Sequence, residues 1–166
     1  MYRTICLAVG LIAVSATAHA QEWMTTLKED VFTGKNDATL IGGFDRQLSV
    51  YATCQAGQQI EFSVIMKDAS PQNFAGIPGT LVVKVDGAEP HRFDATGYQH
   101  NQSYGGFKID SASPGILDTL MEIGGARKKV LVGLQIAAVD VKTTEELRVA
   151  GSGKAVSLLL KNCEIK

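Results

Sequence analysis

Apolar and polar residues alternate through much of this chain. In "LSVYATC" the residues Leu48, Val50, Ala52 and Cys54 share one side, and in "IEFSVIM" so do Ile60, Phe62, Val64 and Met66. A two-residue period belongs to a strand with one buried face. The polar, glycine-containing "QAGQQ" between these runs predicts a hairpin. "TLVVKV" is a further strand that ends at the turn pair Asp86-Gly87, and "HRFDA" and "GGFKID" are predicted to pair near it. "KKVLVGLQI" places Val130, Val132, Leu134 and Ile136 on one side, and "EELRVA" is a shorter, more solvated strand.

Two stretches change period. "SPGILDTLMEIGG" carries Ile116, Leu117, Leu120 and Met121 as a helical stripe, with Ser113 as N-cap, Pro114 at the first helical position and Gly124-Gly125 as the stop. Near the end, Val156, Leu159, Leu160 and Cys163 are spaced as one helix face, which predicts a helix over about 153–162 with Ser152 as its cap. "KDASPQNFAGIPG" reads as a surface loop. No period repeats and no linker divides the chain. The predicted architecture is mainly β: an antiparallel β-sandwich with two short helices.

The N-terminus adds an address. Arg3, the apolar run from Ile5 to Ala16 and the small-residue site Ala18-His19-Ala20 read as a secretory signal peptide over residues 1–20. That leaves a single domain over 21–166, periplasmic or secreted, with no membrane span once the signal is cleaved. The formal net charge of −1 becomes −2 without Arg3, which gives no basic face for nucleic acid. Of the three cysteines, Cys6 goes with the signal. Cys54 and Cys163 remain as an even pair in an oxidising compartment, the arithmetic of one disulfide tying the last helix to the sheet.

Catalytic candidates are few. The histidines after the signal, His91 and His100, flank Asp94 in "HRFDATGYQHNQSYGGF", where a hydrolase or metal-dependent reading has residues but no familiar ligand spacing. "AGSGKAVS" departs from a phosphate loop at Arg148 and Ala155, and no G-x-S-x-G elbow occurs. No catalytic residue, metal or cofactor is therefore assigned. The same segment has two further readings: a structural one, with Phe93 and Phe107 in the core and Arg92 and Asp94 as solvated strand positions, and a contact surface for a protein partner, with Arg92, Asp94, Tyr98, His100 and Tyr104 as the candidate binding residues.

Trp23 with "EDVFTG", the strand into Cys54, "RFD" at Arg92 to Asp94, and "LRVAGSGKAVSLLLKNC" together resemble the VasI-like periplasmic proteins of type VI secretion systems over most of the mature chain. The resemblance implies a disulfide-linked β-sandwich acting as a non-catalytic accessory or binding protein. The segment after "RFD" lacks the tryptophan usual in that family. A second likeness lies in "NCEIK", which resembles the close of periplasmic C-type lysozyme inhibitors, although their Ser-Gly-x-x-Tyr loop is absent. Inhibition of a lysozyme is the alternative that it implies.

Overall fold

The computed structural model describes residues 21–67 and 74–165. The expected signal over 1–20 and residues 68–73 of the proline-containing loop lie outside the described residues. Nine strands form one antiparallel sheet: β1 (Trp23–Glu29), β2 (Asn36–Gly42), β3 (Leu48–Gln55), β4 (Glu61–Met66), β5 (Pro78–Val85), β6 (His91–Gln99), β7 (Gly105–Ile109), β8 (Lys129–Ile136) and β9 (Val141–Arg148). Across the sheet their order is β1-β2-β3-β4-β7-β6-β5-β8-β9. Two helices, α1 (Ile116–Gly125) and α2 (Ser152–Asn162), complete the fold.

The chain is thus mainly β with two helices, but its strands make one curled sheet rather than the two stacked sheets of the expected sandwich. The physical reason is the β4–β7 ladder, with Val64 opposite Phe107, which fuses what would otherwise be separate sheets. Alternation predicts a buried face without saying what covers it. Here α2 covers β1, β2 and β3, while α1 packs on α2 and reaches β5. Leu48, Val50 and Ala52 of β3 and Val130, Val132 and Ile136 of β8 are completely buried on this inner face.

The two edges of the sheet approach each other at one end. Glu22 N and Trp23 N both donate to Ala150 O, at 3.0 and 3.2 Å. The Trp23 indole N–H donates to Arg148 O at 2.7 Å, and its ring lies where a side chain at Gly42 would stand. Beside it the carboxylate of Glu22, only 4 % exposed, receives Arg46 at 2.9 Å and Arg148 at 3.0 Å. Burying a carboxylate is costly unless it is paired and hydrogen-bonded. Both arginines meet that requirement, and Glu22 holds the Arg46 guanidinium pKa above its ordinary value.

The disulfide joins Cys54 at the end of β3 to Cys163 just after α2, with 5.8 Å between Cα atoms. Both helix starts differ from expectation. Gly115 (φ 89°) and Gly151 (φ 91°) are the N-caps, and no side chain caps either helix. Ser113 instead closes a turn onto Asp110, and Ser152 is buried inside the first turn of α2. In α1 the buried residues are Ile116, Thr119, Leu120 and Ile123, whereas Met121 is 58 % exposed. β1 and β2, which the periodicity did not predict, owe their burial to α2 and Trp23.

Candidate functional site

The outer face of the sheet carries the side chains that alternation turns away from the core. Along β6 these include Arg92, Asp94 and Tyr98, with Phe93, Ala95 and Gly97 buried on the other side. His100 and Tyr104 follow in the loop to β7. The five residues named as a contact surface therefore lie along one strand and its hairpin. They do not form one site: His100 and Tyr104 line one groove and Arg92 another, while Asp94 lines a further hollow.

The first groove is built from register. Ile41, Tyr51 and Ser63 are successive outward partners across β2, β3 and β4, and Ser49, Ile65, Gly106 and Tyr98 make the next row across β3, β4, β7 and β6. Gly106 lacks a side chain, and the Tyr98 ring occupies that space, lying 2.9 Å from where a Cβ would stand. An aromatic roof over a strand glycine is a favourable cross-strand arrangement. From there the Tyr98 hydroxyl donates to Ser63 Oγ at 3.0 Å and lies 3.3 Å from His100 Nδ1. Lys108 Nζ sits 5.8 Å from the same ring.

His100 meets Tyr51 edge to face, with 4.9 Å between ring centroids. The loop that carries it is braced by Asn101, whose side-chain oxygen accepts from Ser103 N at 2.8 Å and Tyr104 N at 2.9 Å. Tyr104 is left 41 % exposed on one rim, and Phe44, in the β2–β3 loop, is 53 % exposed on the other. Between these rims lies a groove of about 240 Å³ that also touches Asp45, Arg46 and Lys67.

Burial sets the groove's protonation. It lowers the His100 pKa, since the charged imidazolium is the form that loses solvation. Burial also raises the Tyr98 pKa, partly opposed by the hydrogen bond to Ser63. At neutral pH the groove therefore presents a neutral imidazole and an un-ionised phenol beside apolar rings. Such a surface offers large contact area with polar tips at low entropic cost.

The structure does not bring the residues of the metal or hydrolase reading together. His91 opens β6 and His100 follows its end, so the two lie at opposite ends of the strand, with Cα atoms up to about 30 Å apart at about 3.3 Å per residue. His91 Nε2 lies 3.0 Å from Glu122 Oε1 of α1. Among the described residues no three His, Cys, Asp or Glu side chains gather closely enough to hold an ion.

Sequence reasoning found the β6 side of the groove and missed Ile41, Phe44, Tyr51 and Ile65. Tyr51 and Ile65 could have been noticed: each is an aromatic or branched apolar residue on the polar side of an alternating strand. Phe44 and Arg46 lie in a loop, where no period speaks for them. Comparison with protein-family models, curated proteins and solved structures returned no match.

Proposed function

We propose that this is an exported, non-catalytic binding or accessory protein that holds a protein partner through the aromatic groove between Phe44 and Tyr104. The observation that carries the reading is the fixed placement of Tyr98 over Gly106, with Tyr51, His100 and Tyr104 around it on a disulfide-braced sheet. A pre-arranged aromatic surface loses little entropy on association. The groove suits one apolar or aromatic side chain of a partner segment, its flanking backbone reaching Arg46 or Lys67.

Export rests on the leader-like residues 1–20 and is supported by the disulfide, which belongs to oxidising compartments. The resemblance to VasI-like proteins makes a secretion-associated partner the first to test. A photo-crosslinking residue at position 104 should yield one specific adduct in cells, while the same residue at position 157, on the outer side of α2, should not. Equal labelling from both positions, or none from 104, would remove the groove from the partner contact. Capture of a lysozyme would transfer the reading to the inhibitor class.

A further inference from the structure

The second groove of the outer face poses a question of its own: why is residue 133 a glycine? Gly133 sits in the middle of β8, between Val82 of β5 and Thr144 of β9. Glycine in a strand interior weakens the strand, and where it persists it marks a bulge, a bend or the close approach of something else.

Other strand glycines of this sheet have a visible occupant in the space of the missing side chain. Gly42 is covered by the Trp23 ring, Gly79 by Phe107, Gly97 by the backbone at Phe74 and Gly106 by Tyr98. Gly133 has none of these. Its backbone is not among those with positive φ, the β8 ladder runs through it without a break, and a Cβ built there would meet its nearest atoms at an ordinary 3.7 Å. Nothing in the described structure requires a glycine.

That bare position is the floor of a groove of about 340 Å³ whose apolar base also includes Val82 and Leu131. Lys84, Arg92 and Lys142 line it. None of the three makes an ion pair among the described residues, unlike Lys129 at 2.8 Å from Glu146 nearby. Three cations outside any direct ion pair around an apolar floor favour an anion with an apolar body.

We propose that the Gly133 groove binds a small amphiphilic organic anion, a carboxylate or phosphate monoester, whose apolar portion lies against the Gly133 backbone and whose head group meets Arg92 and the two lysines. Val82 and Leu131 supply apolar contact on either side. The Arg92 fork suits two oxygens of one head group, while Lys84 and Lys142 act as point charges from opposite ends.

The test is a titration of the mature, oxidised protein followed by backbone amide NMR, using hexyl phosphate and hexanoate, with hexanol and inorganic phosphate as controls. At least one of the two anions should give saturable shifts centred on Val82, Leu131 and Gly133, and their ratio identifies the head group. Each control should bind at least tenfold more weakly. Arg92→Gln should weaken binding about threefold to tenfold, as expected for a screened surface charge.

Gly133→Val separates a ligand role from a structural one. It should abolish the shifts while leaving the melting temperature unchanged or raised. A lowered melting temperature would mean that the glycine serves packing, and would overturn the proposal. So would hexanol binding as well as the anions, saturable shifts at the Tyr98 groove instead, or no saturable shift. Binding of a Glu-rich hexapeptide but of neither anion would replace the small anion with an acidic protein segment.

Discussion

Gly106 and Gly133 occupy equivalent settings in the two halves of one sheet, and they differ in what stands over them. Tyr98 fills the space above Gly106, and a Cβ there would lie 2.7 Å from Val64 O. Above Gly133 there is only an open groove. In the first half the glycine is part of the fold, required by an internal ring and a close backbone. In the second half it has no internal cause, and its reason must be sought outside the chain.

The comparison assumes that both halves rest on one cooperative body. Cys163→Ser tests this and should have the largest effect. The bridge spans 109 residues of sequence, and loss of a native disulfide in a small exported domain typically costs about 2–5 kcal/mol. Because the β4–β7 ladder joins the halves, amide exchange should rise in β8 as well as in β3. Exchange confined to β1, β2 and β3 would mean that the two halves unfold separately.

Gly106→Ala comes next. The added methyl must displace Tyr98 or push against the Val64 carbonyl, a kind of overpacking that costs about 1–3 kcal/mol. Its expected signs are a lower melting temperature and a shifted Tyr98 ring resonance. Gly133→Val, at the bare glycine, should go in the opposite direction. If both substitutions destabilise equally, the distinction between a roofed and an unroofed glycine collapses.

Sequence patterning read this molecule unevenly, and the physics explains where. Period-two alternation identified the inner face of β3 and β8 because every inward residue of those strands is buried. It missed β1, where Trp23 is the one fully buried residue and the other side chains are exposed or half-buried. It also could not decide between a sandwich and a single curled sheet, since either arrangement buries the same residues. The disulfide followed from cysteine count and spacing. The grooves did not, because a groove is set by which strands are neighbours: Arg92, Val82, Gly133 and Thr144 form one row only once the order β6-β5-β8-β9 is known.

The smallest effect expected is a pH dependence confined to the first half. Burial holds the His100 pKa below its unfolded value of 6.5. The unfolded chain therefore binds more protons than the folded one just below that pH, and stability falls as the pH drops from 6.5 through the folded value. Well above 6.5 the imidazole is neutral in both states and contributes no slope. The Tyr98 hydroxyl lies 3.3 Å from its Nδ1, and the same groove carries the Asp45 carboxylate as well as the side chains of Arg46 and Lys67. Melting temperatures measured from pH 7 to pH 5 should thus decline slightly more for the wild type than for His100→Gln, with His91 and Glu122 present in both. Parallel curves would place His100 effectively in water and leave the first groove with no pH-sensitive residue to set it apart from the second.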